Sequence, residues 1–378
     1  METSELASAG YWESREIDIR LNPRRSIDAT GLRDFLARDC GISAAVVLAT
    51  SGSSGGFKFV VLPKSALLAS ANAVVEHCGI QKDDIWLAGL SDFHVGGLGI
   101  YARAYVAGSR VEALSHKRWQ RDTQPYLDAI VSAGATLTSM TPTHLYDVVK
   151  AKVKAPSSLR GVLLGGATID GDLVARAQEL GWKIWPSYGM SEACSQIATC
   201  IDGNFEWLPI LPHWECRLSL EGRLEIQGEA LFAGYAVRTS DSWNFESGRS
   251  DDDWFVTGDQ CEVDDGRLRF GGRADDLVKV SGELVSLSAV EAVAVAVARS
   301  NDADAAVLAV SNERRGNDLV AFAEVGEPGA AEVLAYINRQ LDGIEKISRI
   351  FPVDALPRTE IGKIDRQALR KIVEESPV

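Results

Sequence analysis

Between residues 44 and 189 the chain repeats one pattern: a short apolar run, a break at glycine or a polar cluster, then a longer stretch at helical spacing. "AAVVLAT" (44–50), "DIWLAGL" (84–90), "SRVEAL" (109–114), "ATLTSM" (135–140), "LRGVLLGG" (159–166) and "WKIWPSYG" (182–189) read as strands. The segments "SALLASANAVVEHCG" (65–79), "GLGIYARAYVAG" (97–108), "TQPYLDAIVSAG" (123–134), "THLYDVVKAKV" (143–153) and "GDLVARAQELG" (171–181) read as helices, most of them stopped by glycine. Parallel strands need a crossover to return to the same edge, and a helix supplies it. The alternation therefore predicts an α/β domain with a substantial parallel sheet.

The texture changes from about residue 205, where "EWLPILPHWECRLSLEGRLEIQGEALFAGY" and "DWFVTGDQCEVDDGRLRFGGR" are short alternating runs with turn signals. They predict a β-rich subdomain. The last hundred or so residues return to mixed α and β, with "SLSAVEAVAVAVARS" and "AAEVLAYINRQLD" as helices and "DAAVLAVS" and "LVAFAEVG" as strands. A boundary at "GGRADD" (271–276) divides the chain into a large α/β domain, 1–273, and a small α+β domain, 274–378. The lead-in before residue 44 holds one helix around "ATGLRDFLARDCG".

The net charge of −14 argues against a nucleic-acid backbone as partner, since that needs a basic face. An anionic ligand must then find a local pocket of donors. Six scattered cysteines, with no CxxC pair, fit a reducing compartment and give no zinc signature. The acidic N-terminus has no signal-peptide pattern, and no apolar run reaches the ~18 residues of a membrane span. These features predict a cytoplasmic protein; pairing of two copies into a homodimer is left open.

"TSGSSGGFK" (50–58) follows a strand, and the reading places it before a helix. Such a loop can aim backbone N–H groups, hydroxyls and one ammonium at a phosphate chain, although no Walker GK[ST] closes it. In "VLLGGATI" (162–169) two glycines follow an apolar strand, where a flat ring could approach the backbone. "PSYGMSEACSQIAT" (186–199) sets an aromatic, a glycine, a hydroxyl and a carboxylate together. There Tyr188 could stack on a base and Glu192 could hold Mg²⁺. "WFVTGD" ends in Asp259, whose carboxylate suits a ribose diol, and Arg273 lies fourteen residues on. Near the C-terminus "LPRTEIGKIDRQAL" (356–369) carries Lys363 after a glycine in a loop. Taken alone, the first segment reads better as a mobile turn, and the second is equally consistent with a plain strand–helix turn.

In this order the five segments resemble the adenylate-forming superfamily of acyl-CoA synthetases, adenylation domains and luciferases, from about Val46 to the end. The resemblance implies that Thr50, Ser51, Gly52, Ser53, Ser54, Gly55 and Lys58 bind the ATP phosphates. It implies an adenine frame of Gly165, Gly166, Ala167, Ser187, Tyr188, Gly189 and Met190, with Ser191 on the α-phosphate and Glu192 on Mg²⁺. Asp259 and Arg273 would hold the ribose, Asp275 would be the hinge of a mobile small domain, and Lys363 the catalytic lysine. Lys279, Ser281 and Gly282 of "KVSGE" (279–283) would meet coenzyme A, the second co-substrate after ATP.

Within that superfamily "DFHVGGLGIYARAYVAGSRV", "TSMTPTHLYDVV" and "YGMSEACSQIAT" look most like the o-succinylbenzoate–CoA ligases of menaquinone biosynthesis. On this reading His94, Gly96, Thr143, His144 and Ser195 line the acyl pocket. Amino-acid-activating relatives carry an aspartate where His94 stands, so His94 points to a carboxylic acid without an ammonium. There are departures. Only 49 residues precede Thr50, Phe57 replaces the family's proline before the loop lysine, and Ser191 replaces threonine. Three alternatives stand beside an o-succinylbenzoate–CoA ligase: another aryl- or acyl-CoA synthetase, an aryl-acid adenylating enzyme that loads a carrier protein, and a silent nucleotide-binding scaffold. Intact Lys58, Glu192, Asp259, Arg273 and Lys363 argue against the scaffold.

Overall fold

The computed structural model describes residues 5–51, 57–114, 123–239, 242–300, 303–312, 314–359 and 364–376. The chain divides into two compact units, 1–257 with 262–269, and 258–261 with 270–378. The division thus places Asp259 and Arg273 in the smaller unit, ahead of the boundary expected at 271–276.

The larger unit is built on a six-stranded sheet. In order across it lie Arg110–Ala113, Ile85–Ala88, Leu137–Met140, Gly161–Leu164, Ile184–Met190 and Ser195–Thr199. All neighbours are parallel except the last pair, which is antiparallel. Leu137–Met140 and Gly161–Leu164 are buried at every residue, as parallel strands covered on both faces must be. Leu87, Val162 and Leu164 share one core with the helices Gln124–Ala133, Pro142–Lys150 and Gly171–Glu179. Trp86, one residue from Leu87 and so on the opposite face, meets the helix Val95–Ala107. Apart from Ser195–Thr199, which the periodicity does not mark, these are strands and helices that it predicts, while Ala45–Ser51, the first run of the same alternation, lies in another sheet.

Strand order locates the opening. From Ile85–Ala88 the chain goes to one side, to Arg110–Ala113, and then crosses to Leu137–Met140 on the other. The loops after Ile85–Ala88 and Leu137–Met140 therefore diverge. Such a switch point leaves a crevice at the carboxyl ends of the strands, where doubly wound sheets take their ligands.

A second sheet runs Asp18–Arg20, Ala45–Ser51, Phe57–Pro63, Gly234–Arg238, Trp243–Glu246, with only the first pair parallel. It corrects one expectation. The Gly/Ser loop does not lead into a helix: Phe57–Pro63 returns as an antiparallel strand, and the helix Lys64–His77 begins only afterwards. Phe59, Val60, Val61 and Leu62 are all buried, so this strand shows no alternation and merges in sequence with the helix behind it. A third sheet of Leu208–Pro209, Arg267–Arg273, Phe255–Asp264, Arg223–Gly228 and Trp214–Leu218 supplies the β-rich texture.

In the smaller unit Ala305–Asn312, Gly316–Ala323 and Arg349–Pro352 form a sheet with a core on each face. Val307, Leu319 and Ala321 face one core with the helix Leu287–Arg299; Ala306, Leu308, Val320 and Phe322 face the other with Leu369. Leu369 belongs to the helix Arg366–Glu375, a stretch to which the sequence pattern assigns no element. Asp365 caps it by accepting from the Gln367 and Ala368 amides. No helix among the described residues is long and apolar enough to cross a membrane.

Candidate active site

Thr50 and Lys58 lie opposite each other across the hairpin, and Thr50 Oγ1 donates to the Lys58 carbonyl at 3.3 Å. The hairpin therefore puts the exposed Lys58 side chain beside the end of the loop. Gly52, Ser53, Ser54 and Gly55 lie outside the described residues, as do Lys363 and the side chain of Ser51.

The adenine-frame candidates come together at the carboxyl ends of Gly161–Leu164 and Ile184–Met190. Ser187 Oγ donates to the Leu164 carbonyl at 3.0 Å, and a Cβ on Gly165 would stand 2.7 Å from that hydroxyl. Gly166 has φ +87° and Ala167 is exposed. The ladder between Ile184–Met190 and Ser195–Thr199 slips between Tyr188 and Gly189. There a Cβ on Gly189 would lie 1.8 Å from the Ser195 carbonyl oxygen, so only glycine permits the approach.

Ser191–Ala193 makes a single tight turn, followed by Cys194 at φ +49° and Ser195 at φ +130°. Positive φ at two successive non-glycine residues is strain of the kind that gathers at working sites. Two bonds hold Glu192 in this turn. Its carbonyl accepts from the Phe232 amide at 2.8 Å, and its Oε1 accepts from the Tyr235 hydroxyl at 2.9 Å. Among the described residues its other carboxylate oxygen accepts no hydrogen bond. Among them no group of three or more His, Cys, Asp or Glu side chains is placed to hold a metal ion by itself. One open carboxylate oxygen fits Mg²⁺, which keeps several waters and binds through one or two carboxylates together with substrate phosphates.

At the switch point His94 starts the helix Val95–Ala107, with its ring centroid 4.8 Å from that of Phe93. A Cβ at Gly96 would touch only Leu90, at 3.6 Å, whereas at Gly97 it would fall 2.1 Å from the Ser91 carbonyl oxygen. Close packing of the entry loop thus depends on Gly97, which the motif reading passed over. Thr143 is half-buried. His144 is 3% exposed, and its Nδ1 accepts from the Thr141 amide at 3.4 Å. Burial lowers its pKa to about 3, so the ring is neutral and tied to the helix start.

Sequence reasoning missed Arg103. It lies on the helix Val95–Ala107, is 2% exposed, and its guanidinium carbon stands 5.0 Å from the Trp86 ring centroid. Its Nη1 is 2.9 Å from the point a Gly99 Cβ would occupy, and Ser195 Oγ is 3.5 Å from the same point. Among the described residues no carboxylate pairs with it, and its Nε–H meets no acceptor. Burial lowers its pKa to about 10, which still leaves it charged near neutrality. The only sequence signal was one arginine inside the otherwise apolar "GLGIYARAYVAG".

In the smaller unit Asp259 is buried, and its Oδ1 lies 3.5 Å from Nη1 of the half-exposed Arg273. Asp275 falls in the tight turn Ala274–Asp276. Lys279 is the penultimate residue of Leu277–Val280, the first arm of a hairpin in which Val280 pairs with Glu283, leaving Ser281 (φ +54°) and Gly282 (φ +90°) as a two-residue turn. The Ser281 amide donates to the Arg315 carbonyl at 2.7 Å, while nothing lies within 4 Å of a Cβ built on Gly282.

Known proteins share this arrangement. The AMP-binding enzyme family matches residues 37–235, and the AMP-binding enzyme C-terminal domain matches 284–363. The 2-succinylbenzoate–CoA ligase of Bacillus licheniformis is 30% identical over 345 residues, covering 86% of this chain and 70% of that protein. That of Salmonella typhimurium is 30% identical over 334 residues, covering 86% and 68%. Among solved structures, an E. coli MenE variant with bound OSB-AMS superposes with TM-score 0.71 at 28% identity, covering 87% of this chain and 68% of that one. The Bacillus subtilis o-succinylbenzoate coenzyme A synthetase, in complex with ATP and magnesium ion, gives 0.71 at 26% identity, covering 86% and 69%. The family model over 37–235 and the relatives at 30% identity show that the chain belongs to the AMP-binding enzyme family, the adenylate-forming ligases.

Proposed function

We propose that the chain is an ATP-dependent acid–CoA ligase whose acid is 2-succinylbenzoate, an aromatic carboxylate bearing a second carboxylate. Arg103 carries this reading. An unpaired charge taken out of water costs several kcal/mol, which a bound anion offsets. The guanidinium lies beside Gly99 and Ser195, where the second carboxylate of a substrate in the switch-point crevice would meet it. The names of the relatives support the same acid.

In the first step a substrate carboxylate oxygen attacks the α-phosphorus of ATP, and the bond to pyrophosphate breaks. Lys58 and the hydroxyls of Thr50, Ser51, Ser53 and Ser54 neutralise the β- and γ-phosphates. Ser191 donates to the α-phosphate, Tyr188 with Gly165, Gly166 and Ala167 frames the adenine, and Asp259 with Arg273 takes the ribose. The Lys363 ammonium stabilises charge between carboxylate and phosphorus, a preorganised donor where charge develops. Glu192 would hold Mg²⁺, whose positive charge eases phosphoryl transfer. In the second step the smaller domain turns about Asp275, and the CoA thiolate attacks the acyl carbon and expels AMP. The Lys279–Gly282 turn, open above Gly282, receives the pantetheine arm.

Pyrophosphate release across a panel of acids tests the assignment. 2-Succinylbenzoate should exceed benzoate in kcat/KM by about ten- to a hundredfold, the worth of one charge-assisted contact. Arg103→Leu should erase that margin without loss of stability, because an apolar side chain replaces an unpaired buried charge. A long-chain fatty acid faster than 2-succinylbenzoate would overturn the assignment.

A further inference from the structure

We infer that Tyr235 is a positioning residue for adenylation, setting the orientation of the Glu192 carboxylate through its hydroxyl. The inference rests on the proposed role of Glu192 as the metal-binding carboxylate. Tyr235 lies on Gly234–Arg238, directly opposite Val60 of the phosphate-loop hairpin. Lys58, two residues from Val60, points to the same face, and its ammonium stands 5.1 Å from the Tyr235 ring centroid. One phenol therefore touches both the loop lysine and the carboxylate.

The segment grips Glu192 twice, by the Phe232 amide on its carbonyl (2.8 Å) and the Tyr235 hydroxyl on Oε1 (2.9 Å). Tyr235 itself is clamped. The Phe232 ring packs edge-on at 4.8 Å between centroids, and a Cβ on Gly248 would come within 3.0 Å of the phenol ring. With one oxygen bound to a fixed donor, the carboxylate cannot turn freely about its last torsion. The second oxygen, which accepts no hydrogen bond among the described residues, is thereby held in one direction. Fixing a ligand's direction through a hydrogen bond to its other atom is a common way to raise the affinity of a metal site.

The test uses the full chain as Tyr235→Phe, Glu192→Ala and the double variant. Phenylalanine keeps the ring beneath Lys58 and removes only the hydroxyl. Binding of Mn²⁺ with a non-hydrolysable ATP analogue, followed by the EPR signal of free Mn²⁺, is the primary readout. Half-saturating Mg²⁺ for pyrophosphate release, and the rate of thioester formation from supplied acyl-adenylate, accompany it. Tyr235→Phe should raise the Mn²⁺ dissociation constant and the Mg²⁺ requirement about three- to tenfold, as expected for loss of one hydrogen bond to a charged group. It should leave the thioester step unchanged, and in the Glu192→Ala background it should change Mn²⁺ binding no further. Equal weakening in both backgrounds, or none in the wild type, would overturn the inference. Unchanged Mn²⁺ binding in Glu192→Ala alone would instead remove Glu192 from the metal site, and the inference with it.

Discussion

The turn joining Met190 to Ser195 and the turn at Ser281–Gly282 both depend on glycine, for different physical reasons. At Gly189 the obstacle is space: a Cβ would sit 1.8 Å from the Ser195 carbonyl oxygen, inside the backbone of the facing strand. At Gly282 no atom of the described residues lies within 4 Å of where a Cβ would stand, and the constraint is φ +90°. The first turn is closed against its own chain, and the Phe232 amide and Tyr235 hydroxyl bond to Glu192 within it. The second leaves an open position over a strained pair of dihedrals, which suits its proposed role of receiving the pantetheine arm. One kind of residue thus permits a close strand approach at Glu192 and an open turn at Ser281–Gly282.

Gly189→Ala should give the largest effect, because two strands must separate to admit one methyl group. Overpacking of this kind costs about 3 kcal/mol or more where only backbone can yield. The urea midpoint should fall accordingly, and pyrophosphate release should be lost with it. A midpoint within experimental error of the parent would show that the strand approach is not fixed.

An intermediate effect is expected at His144, which anchors the wall across the crevice. Its folded pKa of about 3 lies below the unfolded value of 6.5 because burial disfavours the cation. The unfolded chain therefore binds more protons between these values. Stability is fully present above pH 6.5 and declines as pH falls towards 3, by up to about 1.4 kcal/mol per pH unit from this group. His213, lowered to about 4 by burial, adds to the same acid limb. His144→Gln should flatten the limb measured by urea unfolding between pH 6.5 and 4, leaving the part due to His213. An unchanged slope would mean that His144 is charged or solvated when folded.

The smallest effect is expected at Gly282. Alanine at that dihedral costs about 1–2 kcal/mol, and asparagine, which tolerates left-handed backbone, costs less. Thioester formation from supplied acyl-adenylate should therefore fall in the order Gly282→Asn, Gly282→Ala, Gly282→Val, with pyrophosphate release unaffected. If asparagine were worse than alanine, size rather than dihedral would set the limit, and the contrast with Gly189 would disappear.

Periodicity, glycine stops and motif order determined a good deal unaided. The alternating strands and helices between residues 44 and 189 lie where their spacing places them, because apolar period and chain reversal are local properties of the backbone. The ordered motifs identified the family for the same reason, since each is a short stretch whose residues act together. Tertiary structure alone decided the rest. Phe57–Pro63 is a strand because its two flanking partners, one of them 175 or so residues away, complete its hydrogen bonds. Arg103 reads as an ordinary helical arginine until Trp86, Gly99 and Ser195 surround it with no carboxylate partner among the described residues. Tyr235 becomes interesting only when folding brings it to a carboxylate 43 residues earlier in the chain. Burial, pairing and close approach between distant segments depend on how the sheets are ordered in space, and no local pattern records that order.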